Sequence, residues 1–238
     1  MNLVIARITL RGMLGRKRAL LLLALPLTLL VLAVVFRATG NADPQTAAIL
    51  LQHYGLGTLL PLVALIAGTG VLGPEIDDGT IVFLLSKPIP RPVILNTKLA
   101  VAVGLAALFA VVPMLAAGLI LRGTDGGLAV GFAVGALAGV VAYCAVFVLI
   151  NVVSRHAVVF GLIYALIWEG LIGGFVPGAK ELSVQQWTLS IAGRLVSNPT
   201  LHPDVALPAA LSLLVAATVV ATVLAGQRLR SLSITGDV

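Results

Sequence analysis

Long apolar stretches alternate with short polar ones along this chain. Runs near 19–36, 55–73, 99–121, 128–153, 157–176 and 207–227 are apolar and nearly free of charge. A hydrocarbon core about 30 Å thick takes about 20 residues of helix at 1.5 Å rise, so such runs predict membrane-crossing helices. The runs lack the strict two-residue alternation of a membrane β-barrel and are too long for its strands. The expected fold class is an all-α membrane protein, one domain over 1–238 with six transmembrane helices. Pro26 and Pro113 fall inside runs and predict kinks there.

The polar segments between the runs carry patterns of their own. Residues 1–18 predict an interfacial amphipathic helix, with Arg7, Arg11 and Arg18 on one side and Leu3, Leu10 and Leu14 on another. The same arginines also fit a plain basic flank before the first span. Arg16-Lys17-Arg18 ahead of an apolar run resembles a secretory signal. The run exceeds the usual 7–15-residue signal core, so it is read as a retained first span. In the outer segment 177–206, Val184, Trp187, Ile191 and Leu195 recur at helical spacing, opposed by Glu181, Gln185 and Arg194. They predict a short helix lying on the outer membrane surface or dipping into it, ended by Ser197-Asn198-Pro199. It reads either as a lid over an exit path or as a helix that closes the bundle. Gly127, Gly131, Gly135 and Gly139 recur every fourth residue, a smooth face for close helix packing within one chain or between two.

The densest polar segment is the insert at 73–98. It holds six of the chain's 24 charged residues: Glu75, Asp77, Asp78, Lys87, Arg91 and Lys98. Pro74 followed by three acids is a helix start, because proline has no N–H to leave unpaired and acids complement the positive helix end. Lys87 in the last turn and Pro88 behind it make a helix stop. Ile76, Phe83 and Leu84 share a face, Gly79 weakens the middle, and Pro92 opens a second helix that runs through Lys98 into the third span.

Composition sharpens this picture. The chain is 60% hydrophobic and 10% charged, with mean hydropathy +1.13. Its net charge of +6 follows topology and does not point to nucleic acid. With the N-terminus inside, the inner segments hold Arg7, Arg11, Arg16, Lys17, Arg18, Lys87, Arg91, Lys98, Arg155, Arg228 and Arg230. The outer segments hold only Arg37, Arg122, Lys180 and Arg194. This bias predicts both termini and the insert in the cytoplasm. The single cysteine, Cys144, permits no intrachain disulfide.

Candidate chemistry is sparse. Asp77-Asp78-Gly79 is not a two-metal site, since adjacent carboxylates point about 100° apart on a helix and no second acidic pair follows. No His/Cys cluster has metal spacing, so neither catalytic nor metal-binding residues are expected. Glu169, in the outer half of the fifth run, is costly in a membrane. It either faces a cavity, as a candidate for the substrate path, or reaches interfacial water or a hydrogen bond on a neighbouring helix. Asn151 is read as an interhelical hydrogen-bonding residue.

The pattern Glu75-x3-Gly79-Thr80-x3-Leu84-Leu85-x2-Pro88-x2-Arg91-x6-Lys98, between a second and a third span, resembles the type-2 permease subunits of ATP-binding cassette exporters. The resemblance covers most of the chain. It implies that the 74–98 segment carries a coupling helix that docks on a separate ATPase through Glu75, Ile76, Asp77, Asp78, Gly79, Thr80, Phe83, Leu84 and Lys87. It implies two permeases, identical or not, with two ATPases in a bacterial plasma membrane, among membrane lipids. The chain has no G-x4-G-K-[ST] phosphate loop, so ATP and magnesium would sit on the partner and the chain itself is not expected to be an enzyme. Few polar groups in the spans lean toward a hydrophobic cargo. A secondary transporter, which wants coupling-ion groups near the midplane, and a non-transporting assembly protein are the alternatives.

Overall fold

The computed structural model describes residues 7, 9–10, 16–73, 91–154, 156–172, 180–196, 201 and 203–231. The described residues form helices and connecting turns, with no strand among them. Helix α1 is Arg16–Ala38. Helix α2 is Pro44–Gly70, α3 covers 91–122, and α4 is Leu128–Val153. Helix α5 covers 157–172, α6 is Val184–Leu195, and α7 is Leu207–Ser231.

Five stretches are long and apolar enough to cross a membrane: Ala19–Ala38, Pro44–Gly70, Pro92–Arg122, Asp125–Val153 and Leu207–Leu229. Three agree closely with the runs at 19–36, 128–153 and 207–227. The second starts well before the expected residue 55. Asp43 caps it by accepting from the Thr46 amide at 3.2 Å, and Pro44 fills its first turn, where no N–H is needed. Gln52 and His53 break the hydropathy of this stretch without breaking its helix.

Prolines shape two of these helices through π turns. In α2 the Leu60 amide reaches back five residues to Gly55 O, immediately before Pro61. In α3 the Val112 amide reaches Ala107 O, immediately before Pro113. A proline ring clashes with the carbonyl four residues back and has no N–H to offer it. A wider turn just ahead of the ring takes up that mismatch and lets the helix continue.

The outer helices are apolar on both their buried and their exposed faces. Helix α1 buries Leu22, Leu29 and Ala33 and exposes Leu20, Leu27 and Val31. Helix α7 buries one narrow seam, Ala210, Leu214, Ala221, Ala225 and Leu229, and exposes Val215, Val219 and Val223. Exposed apolar bands on every outer helix suit a hydrocarbon solvent. Helix α4 is the centre: α2, α3, α5, α6 and α7 all pack on it, while α1 leans on α3 and α2. Two arginines finish the end opposite the insert. Arg37 Nη1 donates to Leu121 O at 3.2 Å and Arg122 Nη1 to Ala42 O at 3.5 Å.

The last residues of the fifth expected span, 157–176, lie outside the described residues. Its helix is described only to residue 172, and its apolar part, Ala157–Gly170, is shorter than a span. Helix α5 runs antiparallel along the second half of α4: Gly161 and Tyr164 both meet Phe147. Helix α6 runs along the first half, from Thr188 at Gly139 to Leu195 at Gly127. Two half-helices thus flank α4 over its whole length. Helix α6 therefore packs into the bundle along α4. Eight of its twelve residues are buried, polar Gln186, Thr188 and Ser190 among them. Leu195, assigned to the apolar face, is 47% exposed.

Candidate functional site

The half-helices meet at a single carboxylate. Ser183 is the N-cap of α6, and its backbone carbonyl accepts from the amides of Gln186 and Trp187. The next two amides, Val184 and Gln185, point toward α5. Glu169 accepts both, Val184 N at 3.0 Å on Oε1 and Gln185 N at 3.2 Å on Oε2. It also accepts the Ser183 hydroxyl at 2.5 Å and the Tyr164 hydroxyl at 3.1 Å. With 1% of its surface exposed, Glu169 is a cap supplied from a different helix.

The physics of this placement is direct. Helix N-termini leave amides unpaired and carry positive partial charge. A carboxylate there satisfies two amides and is stabilised by the dipole, so an acid can be buried without a cation. Of the two alternatives open for Glu169, the structure shows the hydrogen bond to a neighbouring helix. The residue lies beside Tyr143 of α4. Tyr143 and Phe147 stack at 6.0 Å, and Phe147 meets Tyr164 edge-on at 6.0 Å. This aromatic ladder aims the Tyr164 hydroxyl at the acid. The fully buried Tyr143 hydroxyl has no hydrogen-bond partner among the described residues.

Helix α6 is fixed along the rest of its length by the glycine stripe. A Cβ on Gly127 would come within 2.6 Å of Leu195 O, and one on Gly135 within 2.6 Å of Thr188 O. On Gly131 it would meet Ala192 O at 2.9 Å, and on Gly139 Leu60 Cδ2 at 2.8 Å. All four glycines face α6 within the same chain. Three of its polar side chains find partners inside the chain: Gln185 Nε2 donates to Gln52 O at 3.2 Å, Ser190 Oγ to Val205 O at 2.7 Å, and Trp187 Nε1 to Glu181 O at 2.7 Å, whereas the buried Gln186 Oε1 has no partner among the described residues.

A second polar cluster lies where the insert joins the bundle. Asn151 Nδ2 on α4 donates to Thr69 O at 3.0 Å, an interhelical bond. Lys98 Nζ on α3 donates to Val71 O at 2.5 Å. Lys98 was counted with the basic residues of the cytoplasmic segments; it is 1% exposed, and its helix runs from Arg91 through Lys98, as the Pro92 start predicted. Between α1, α2 and α5 a half-open groove of about 510 Å³ is lined mainly by aliphatic side chains, with Thr28, Tyr54 and Thr69 supplying hydroxyls. The Thr28 and Tyr54 hydroxyls hydrogen-bond each other.

The docking residues assigned to the insert, Glu75, Ile76, Asp77, Asp78, Gly79, Thr80, Phe83, Leu84 and Lys87, lie outside the described residues. So do Arg11 and the side chain of Arg18; Arg7 is exposed. Sequence reasoning did not single out Tyr164 or Ser183. A serine directly before the α6 pattern is an N-cap signal that could have found the second. Against known proteins, residues 14–177 match the family described as ABC-2 family transporter protein. No curated protein matches the chain.

Proposed function

Because this chain belongs to the ABC-2 family of transporter proteins, an integral membrane family, we propose that it is the permease subunit of an ATP-binding cassette exporter driven by a separate ATPase. The match over residues 14–177 carries this reading. In the proposed complex two such subunits pair with two ATPases, with both termini and the insert on the ATPase side. The basic-residue bias supports that orientation. Residues 74–87 dock on the ATPase, with Ile76, Phe83 and Leu84 as the apolar anchor and the charges as a polar rim.

The proposed cargo is hydrophobic and lies along the groove between α1, α2 and α5, whose walls are leucine-rich with three hydroxyls. In this reading α5 and α6 shift against each other as access alternates, and Glu169, which bonds one to the other, is the latch between them. Its carboxylate acts on α6, since four donors of this chain already surround it.

Purification from native membranes through a tag on this chain tests the reading. An ATPase should co-purify, and Glu75→Ala with Phe83→Ala should release it while the permease stays folded. A permease that travels alone and moves cargo on an ion gradient without ATP would overturn it.

A further inference from the structure

The insert joins the end of α2 to the start of α3, so whatever acts on it enters through these two roots. A helix leaves its last four carbonyls without intrahelical donors. At the end of α2 two carbonyls are taken by buried side chains of other helices. Asn151 on α4 donates to Thr69 O, and Lys98 on α3 donates to Val71 O. Lys98 stands seven residues, about two turns, into the helix that follows the insert. It therefore ties the outgoing root to the returning one. Asn151 ties the outgoing root to the central helix.

The choice of groups has a physical logic. An ammonium buried in an apolar bundle is unfavourable unless its donors are met. The C-terminal end of a helix meets them and carries the matching partial charge. Below this point α2 has no slack against α4: a Cβ on Gly68 would come within 2.8 Å of Phe147 Cβ. A Cβ on Gly73 would lie 3.7 Å from Asn151 Oδ1, so the chain passes directly over Asn151 as it leaves.

We infer that Lys98 and Asn151 are positioning residues that lock the root of the insert, so that α2, α3 and α4 move as one body when the insert is pushed. The inference rests on the coupling role proposed above and names the parts that carry it inward. Motion of α4 then reaches α6 through the glycine stripe. With the lock removed, the insert swings on its roots and α4 stays still.

Hydrogen–deuterium exchange on the full chain in lipid nanodiscs reads the lock directly. In Lys98→Met combined with Asn151→Leu, exchange over 66–73 should rise at least about tenfold while 128–140 stays as in wild type. Lys98→Arg, which keeps a cationic donor, should recover part of the protection. If the double variant does not fold, Asn151→Asp replaces it, with the same shape and the donor removed. Wild-type exchange over 66–73 in any of these folded variants except Lys98→Arg overturns the lock.

The second measurement uses the complex purified from native membranes, with ATP, magnesium and vanadate as the probe. The wild-type complex should change its exchange over 128–140 and 184–195 when the probe is added. The variants should keep their ATPase and lose that change. A preserved change overturns the inference. A wild-type chain that brings no ATPase refutes the proposed function instead, and the first measurement still decides the lock.

Discussion

Replacing Glu169 by alanine removes the acceptor for four donors at once. The Ser183 and Tyr164 hydroxyls can rotate toward other partners. The Val184 and Gln185 amides cannot, because the helix fixes their direction. A buried donor without an acceptor costs about 1–3 kcal/mol, so the two amides together set a loss of ~2–6 kcal/mol. Water entering the vacated volume would restore part of the bonding and bring the loss toward the lower end. About 2 kcal/mol corresponds to a melting shift of roughly 4–8 °C for a chain of this size. The single cysteine supplies the assay: Cys144 is buried in α4, so a thiol-reactive fluorogenic dye reports unfolding. Glu169→Gln keeps one acceptor oxygen and turns an NH2 toward the other donors, so it should melt between wild type and alanine. Amide exchange over 184–188 should rise in the same order. An alanine variant that melts with wild type and keeps those amides protected would refute the capping argument.

Gly135→Leu should separate α6 from α4, because even its Cβ would meet Thr188 O at 2.6 Å. Overpacking of this kind costs about 1–3 kcal/mol, read by dye melting, with Gly104→Ala in open space as the control that should not move. Tyr143→Phe should leave stability unchanged or raise it by about 1 kcal/mol, since the hydroxyl removed has no partner and its desolvation is no longer opposed. A clear loss of stability in that variant would mean that the hydroxyl is satisfied in the membrane.

Most of the bundle was legible because hydropathy reports what lipid demands, and five crossing helices answer to it. The errors fall where a local signal competed with hydropathy. Gln52 and His53 hid the first turns of α2, although Asp43-Pro44 marked their start. Lys98 was counted with the charged insert, and nothing in the sequence showed that it is buried; its burial depends on a helix end that only the folded bundle brings near. The mixed composition of α6 did not show that it packs along the glycine face of α4; the acceptors of Gln185 at Gln52 and of Ser190 at Val205 come from elsewhere in the chain. The Glu169 site combines residues from two elements, and no spacing rule links position 169 to positions 183–185. Its acid alone was visible.

The polar make-up of α6 bears on how the chain is assembled. The α1, α2, α3, α4 and α7 stretches are apolar enough to enter lipid one at a time. Helix α6, with two glutamines, a threonine and a serine in twelve residues, is not, because each unpaired polar group would face hydrocarbon. It becomes stable only when the glycine face of α4, the Gln52 carbonyl and the Glu169 carboxylate are already in place. Insertion and folding are therefore separate events for this segment. Variants along the glycine face should accumulate as membrane-embedded chains whose α6 remains open to protease, a class of failure that span prediction alone would never flag.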